Sequence, residues 1–228
     1  FLRRRLRAEI GLSGVAAEHE RCADHLLERG NWNQAVRHLL EAENFDRAGE
    51  VIAAHGADWI TSGKLASLAS LAEALPAQVL EAHPRAMAHR AEVARLRGEF
   101  DTAQSLFRRA AAALRSKGDD EGEADALHSL ATIARRQGDY DAAFQYLDRA
   151  IELTKPESAV RTKCGNTRGL CFVSLGEWTA AEREFRVALQ SAEERNDEHH
   201  IRLITHNLGP PAMMRRDTGE ALHWLRRM

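Results

Sequence analysis

The sequence predicts an all-α fold in which antiparallel helix pairs stack as a repeat array behind a linker of shorter helices. The main observation is a six-residue phrase at 98–103 (GEFDTA), 138–143 (GDYDAA) and 176–181 (GEWTAA), whose glycines are 40 and 38 residues apart. An eroded copy (RDTGEA) lies at 216–221. Such a period is typical of repeat proteins, whose units bury their apolar faces against one another. The alanine-rich composition, with 6% aromatic residues, suits closely packed helices.

Each phrase is predicted to separate two helices. Before Gly138, the residues Leu127, Leu130 and Ala134 recur at helical spacing and mark one buried stripe. The glycine itself can take the left-handed conformation that ends a helix. The second helix is then expected to begin at a capping side chain, at the equivalent positions Asp101, Asp141 and Thr179.

These repeated positions resemble the tetratricopeptide repeat. The resemblance lies in a small residue in the first helix (Ala91, Ala131, Gly169, Gly209), the glycine–aromatic turn, and alanines flanking a large apolar residue in the second helix. It implies a right-handed superhelix, a TPR-like α-solenoid. Its four units are expected at 84–121, 124–157, 162–195 and 202–228.

The fourth unit departs from this pattern. It has lost the glycine and the aromatic residue of the turn, and Pro210-Pro211 falls inside its first helix. Proline lacks a backbone donor, so we expect the pair to kink or end that helix. The chain stops at Met228, within the expected last helix, and we interpret the unit as truncated.

The residues before the array follow a different pattern. FLRRRL at 1–6, AVRHLL at 35–40 and HPRA at 83–86 resemble the maltose-activator (MalT-like) group of LuxR-type transcription regulators. The resemblance implies that 1–10 end a winged-helix domain and 11–83 form a helical linker. It also implies an upstream STAND ATPase that would bind ATP and drive any homo-oligomerisation of the parent protein, while this fragment itself needs no cofactor.

Composition restricts the partners. The 32 Lys and Arg balance 34 Asp and Glu for a net charge of -2, which gives no electrostatic reason to expect nucleic acid or an anionic membrane. No apolar run is long enough for a membrane span. Three scattered cysteines form no disulfide framework, and Cys164 and Cys171 are predicted to be buried. A cytoplasmic fragment is expected.

No arrangement typical of catalysis is present, so we predict that the chain is not an enzyme. The sequence has no nucleophile elbow and no cysteine with a suitable histidine and acid. Two clusters contain possible metal ligands, and we interpret both as ordinary helix faces rather than zinc sites: His19, Cys22 and His25, and then His199, His200 and His206.

Binding is instead predicted on the first helix of each unit. In stacked helix pairs these helices line a groove, and their polar residues face a ligand. The candidate groove residues are His89, Arg95, Asp125, His128, Thr132, Arg135, Asn166, His206 and Asn207. Their mixed charge suits a neutral or mixed-charge partner.

Two functions are compatible with these observations. The first, implied by the resemblance to the regulators, is a sensor arm that binds a small-molecule effector or an inhibitory protein and controls the upstream ATPase. The second is a generic protein–protein interaction scaffold, which binds a peptide or helix in its groove.

Overall fold

The computed structural model describes the backbone of residues 2–227 and the side chains of residues 10–227. These residues form thirteen α-helices and no strand, which confirms the all-α prediction. The helices are α1 (Leu2–Glu28), α2 (Trp32–Glu41), α3 (Phe45–Thr61), α4 (Leu65–Glu73), α5 (Ala77–Ala82), α6 (Pro84–Leu96), α7 (Phe100–Ser116), α8 (Asp120–Gln137), α9 (Tyr140–Leu153), α10 (Ala159–Leu175), α11 (Trp178–Glu194), α12 (Glu198–Met214) and α13 (Thr218–Arg227).

The chain divides into two compact units, and the boundary along the sequence falls between Ala113 and Leu114. In the first unit α1 packs on α2, α2 on α3, and α6 lies against α3, α4 and α5. The backbone of α1 leaves the helical conformation at Gly11 (φ 70, ψ 177), so α1 consists of two helical segments. The assignment of 1–10 to a winged-helix domain stays a prediction, and Phe1 lies outside the described residues.

The second unit consists of stacked helix pairs. Each helix from α8 to α13 contacts the next one along the chain, and α10 also contacts α8 and α12. We call α8, α10 and α12 the A helices. A continuous core joins the last pairs; it includes Phe185 and Ala188 of α11, Ile204 and Leu208 of α12, and Trp224 of α13.

Left-handed residues end the A helices as the repeated phrase predicts. Gly138 (φ 80) follows α8 and Gly176 (φ 77) follows α10, and each donates its backbone N–H to the last turn of its helix. The eroded phrase keeps this geometry without a glycine, since Arg216 has φ 62. A left-handed conformation is strained for a residue that carries a Cβ.

The predicted helix caps are wrong by two residues. The second helix begins at the aromatic residue, so α9 starts at Tyr140 and its cap is Asp139, which accepts the Ala142 N–H at 3.1 Å. Asp141, like Asp101 and Thr179, lies inside the first helical turn. The left-handed glycine reverses the chain so tightly that only one residue separates it from the next helix.

The pair Pro210-Pro211 is predicted to kink or end the helix, and the structure shows that the helix does not end there. Helix α12 continues through both prolines to Met214. The site accommodates the two rings because Pro210 is exposed, while Pro211 is buried on the core side. The prolines lack N–H groups, so the carbonyl oxygens of His206 and Asn207 have no donor four residues on.

The small-residue position of the repeat differs between the last two pairs. A Cβ at Gly169 of α10 would lie 2.9 Å from Phe185 Cζ and closer to two other ring atoms, so helix and ring touch directly. A Cβ at the equivalent Gly209 of α12 would meet nothing within 4 Å. Leu225 occupies the position of Phe185 in α13 and is 54% exposed, whereas Trp224 beside it is 4% exposed.

Candidate functional site

The predicted groove residues of the second unit lie along neighbouring A helices. At about 3.6 residues per turn, positions three, four and seven apart share one helix face. This places the polar residues of α8, α10 and α12 on faces that adjoin where those helices touch. We call the set the A-helix face; it comprises Asp125, His128, Thr132, Arg135, Lys163, Asn166, Thr167, His206 and Asn207.

The polar side chains of this face bond to one another across the helix boundaries. Asp125 Oδ1 lies 2.9 Å from Lys163 Nζ, and His128 Nε2 lies 3.0 Å from Thr167 Oγ1. These contacts join α8 to α10. The groove residues therefore stabilise the stacking of the helices, and Thr167 is buried in this contact.

The same register recurs between α10 and α12. Asn207 Nδ2 donates to Asn166 Oδ1 at 2.8 Å. Counted back from the turn positions at 138, 176 and 216, His128, Asn166 and His206 are equivalent, as are Thr167 and Asn207. Each hydrogen bond thus joins the residue ten positions before the turn in one A helix to the residue nine positions before the turn in the next. His206, which lies ten positions before the turn of α12, is exposed.

The upper end of α8 (its last two turns) contains an unsatisfied donor. Thr132 Oγ1 donates to the carbonyl oxygen of His128 at 3.1 Å, so this hydroxyl is used within its own helix. One turn further, the Nε of Arg135 is buried and has no hydrogen-bond partner among the described residues. Buried N–H groups without a partner are rare in folded proteins, which marks Arg135 as a candidate contact for an acceptor.

The two predicted residues of the first unit belong to contacts within that unit. His89 of α6 packs against Gly56 of α3, and its Nε2 lies 3.3 Å from the Ala53 carbonyl oxygen. Arg95 forms two hydrogen bonds with Glu92, at 2.8 and 2.5 Å.

The cysteines fit their predicted positions. Cys164 and Cys171 of α10 are fully buried, whereas Cys22 is exposed. Burial raises the pKa of the Cys164 thiol to about 12 and that of Cys171 to about 11. These thiols are therefore protonated at neutral pH and serve as small apolar residues of the core.

One histidine of each predicted cluster pairs with a residue outside that cluster. His19 Nδ1 lies 2.8 Å from His38 Nδ1, and desolvation followed by the repulsion of His19 lowers the pKa of His38. His200 Nδ1 lies 2.7 Å from Asp197, the cap of α12. Over the part of the chain that the structure describes, no three His, Cys, Asp or Glu side chains are grouped as a metal site would need.

A cavity of about 450 Å³ lies on another side of α10, and it was not predicted from the sequence. It is lined by residues of α9, α10 and α11, with Gly165 of α10 and Ala188 of α11 among them. We call it the seam cavity. A glycine inside a helix was the one signal that could have indicated it, since such a glycine marks close packing or a functional position.

Comparison with known proteins agrees with this geometry. Residues 84–155 match the sequence model of the tetratricopeptide repeat. The chain has a tetratricopeptide-like repeat fold. No curated protein sequence matches it.

Solved structures of repeat proteins superpose on most of the chain. BtubC (BKLC) from P. vanneervenii has a TM-score of 0.61 and 17% identity, over 95% of this chain and 86% of that protein. A tetratricopeptide repeat protein from Parabacteroides merdae gives 0.63 and 15%, over 93% and 78%. The MamA protein gives 0.59 and 17%, over 80% and 94%. At these identities the likeness establishes the fold alone.

Helices able to cross a membrane are not found in the described residues. None of those helices is both long enough and apolar enough to span a bilayer.

Proposed function

We propose that the chain is a non-catalytic protein-interaction scaffold, which binds a segment of a partner protein across the A-helix face. The observation that carries this proposal is a set of polar groups of the A helices that lack a hydrogen-bond partner within their own helix. Arg135 supplies a buried Nε–H without an acceptor, and the prolines of α12 leave the carbonyl oxygens of His206 and Asn207 without their helical donors. A peptide backbone offers both a donor and an acceptor at every residue.

The composition of the face indicates what kind of segment would fit. Asp125 and Lys163 neutralise one another, so that pair presents no net charge. On α12 the neighbouring positions are apolar and open to solvent, with Leu203 40% and Met213 63% exposed. A segment that combines an apolar side chain with backbone hydrogen bonds matches this surface, whereas a strongly charged ligand would gain little.

The test is selection of peptides from a random display library on the intact chain. We expect enriched peptides with an apolar anchor residue, and we expect Arg135→Ala and Met213→Glu to weaken their binding at least about ten-fold, which corresponds to about 1.4 kcal/mol. Leu222→Glu is the matched control, because Leu222 of α13 is 50% exposed and lies outside both the A-helix face and the seam cavity. Enriched peptides that bind both face variants as well as the unchanged chain would contradict the proposal.

The regulator hypothesis is a finer proposal, in which the same scaffold acts as the sensor arm of a STAND ATPase and receives an effector molecule or an inhibitory protein. Its support is the sequence resemblance and the run of helices α1–α5 before the first glycine–aromatic turn. The comparisons above are with repeat proteins and add no support to it.

The decisive measurement for that hypothesis is the coding sequence upstream of Phe1. A phosphate-binding loop of Walker type, which would supply the ATP site, is expected there. If the upstream sequence encodes no such loop, the regulator hypothesis is wrong and the scaffold proposal stands.

A further inference from the structure

The seam cavity lies beside a close contact between α10 and α11. A Cβ added to Gly165 would be 3.2 Å from Ala188 Cβ, which is tighter than ordinary van der Waals contact. Glycine destabilises the interior of a helix, so its presence here calls for a structural reason. The absent side chain leaves a shallow apolar floor along the seam between the two helices.

The lining of the cavity combines polar and apolar residues, and its apolar part is partly open to solvent. Val187 of α11 lines the cavity and is 64% exposed, while Ile151 of α9 and Pro156 line it from the other side. A volume of about 450 Å³ falls in the range of pockets that hold small organic groups. An exposed aliphatic wall above a small-residue floor fits an aliphatic side chain.

Arg168, which lines the same cavity, has a buried hydrogen-bond donor. Arg168 Nη1 donates to Asp148 at 2.6 Å, but its Nε is buried and has no hydrogen-bond partner among the described residues. The nearest carboxylate oxygen of Glu184 lies 3.8 Å from this Nε, within ion-pair range but beyond hydrogen-bond distance. An oxygen acceptor placed in the cavity would satisfy the Nε–H.

The charges around the cavity favour a neutral acceptor. The lining contains two arginines, Arg161 and Arg168, and two glutamates, Glu184 and Glu194, so their formal charges cancel. Arg161 is already engaged, because its Nη1 donates to the carbonyl oxygens of Ile151 and Thr154 at 3.0 and 3.1 Å. An anion beside Arg168 would be repelled by Glu184, whereas an amide carbonyl would not.

We infer that the seam cavity is a second peptide-binding site, which takes an aliphatic residue of a partner chain. The aliphatic side chain lies over Gly165 and Ala188, and the backbone carbonyl of the same residue accepts a hydrogen bond from Arg168 Nε. At about 100° per residue, the cavity positions of α10 (161, 165, 168) lie opposite its A-helix positions (163, 166, 167). The site is therefore distinct from the A-helix face, and it holds whether or not that face binds a partner.

The test uses N-acetyl-leucine methylamide as the probe and backbone amide chemical shifts of the intact chain as the readout. We expect saturable shifts confined to the residues that line the cavity. Val187→Glu should weaken the binding at least about ten-fold, because a charge replaces the apolar wall. Val187 is mostly exposed, so this substitution leaves the fold intact.

Two controls make the result decisive. Met213→Glu, on the A-helix face, alters a methionine of matching exposure (63%) and should leave the shifts unchanged. The capped aspartate, N-acetyl-aspartate methylamide, should not bind. Shifts that persist in the Val187→Glu variant, that vanish in the Met213→Glu variant, or that are stronger with the aspartate probe would overturn the proposal. A failure here leaves the display selection on the A-helix face unaffected.

Discussion

The third helix pair (α10 and α11) and the fourth (α12 and α13) share their spacing but not their packing. In the third pair Phe185 is fully buried against Gly169. In the fourth pair the equivalent Leu225 is mostly exposed, and the space beside Gly209 is empty. The second helix of the fourth pair turns a different residue, Trp224, towards the core.

This difference separates two roles of the repeated phrase. The left-handed turn forms in both pairs, with a glycine in one and Arg216 in the other. The turn therefore fixes where a helix ends, but it does not fix which face of the next helix is buried. In the fourth pair, that choice follows a buried tryptophan whose ring lies 5.4 Å from the Arg186 guanidinium.

The largest contrast is expected when the two equivalent large residues are truncated. Phe185→Ala should lower the free energy of unfolding by about 3–5 kcal/mol, because it leaves a cavity in the core. Leu225→Ala should change it by less than about 0.5 kcal/mol, since the side chain is already exposed. Urea titrations of both variants measure the difference, and similar losses would show that the two pairs pack alike.

A smaller contrast is expected at the two glycines. Gly169→Ala should destabilise the chain by about 1–3 kcal/mol, because the added methyl group has to displace the buried Phe185 ring. Gly209→Ala should change the free energy of unfolding by less than about 1 kcal/mol, because no atom of a neighbouring helix is displaced and the better helix propensity of alanine is offset by contact of its Cβ with the Pro210 ring. Thermal unfolding of the two variants measures both changes, and a loss in Gly209→Ala as large as that in Gly169→Ala would contradict the open geometry beside α12.

The smallest contrast concerns the turns. Arg216→Gly should stabilise the chain by about 0.5–1 kcal/mol, because it relieves a left-handed residue that carries a Cβ. The reverse change in the third pair, Gly176→Arg, should destabilise it by a similar amount. Equal and opposite shifts in the urea midpoint are the expected result, and a loss of stability in Arg216→Gly would mean that the arginine side chain matters more than its backbone strain.

Much of the fold could be predicted because its signals are local. The glycines at 138 and 176 and the apolar stripe of α8 act within one or two helical turns, and they marked the helix ends correctly. The caps could not be placed, because Asp139 and Asp141 are both suitable capping residues. Only the geometry of the left-handed turn shows that the helix begins directly after Asp139. The continuation of α12 through its two prolines could not be predicted, because it depends on the space around the helix rather than on the local sequence.

The contacts of the candidate groove residues could not be predicted from the sequence. Helical periodicity predicted that His128 and Asn166 lie on equivalent faces of α8 and α10. It could not show that they bond to Thr167 and Asn207 on the next A helix, since those contacts join residues 39 and 41 positions apart. The seam cavity depends on the approach of Gly165 to Ala188 across two helices. No periodicity of a single helix contains that information.

The hydrogen bonds between A helices also bear on how such an array can lengthen. Helix α10 contains both halves of the contact: Thr167 bonds to the preceding A helix and Asn166 to the following one. A second copy of α10 and α11 inserted after α13 would bring its threonine next to His206, which recreates the histidine–threonine pair that joins α8 to α10. Gene duplication could thus add a unit whose first polar contact is already compatible with its new neighbour.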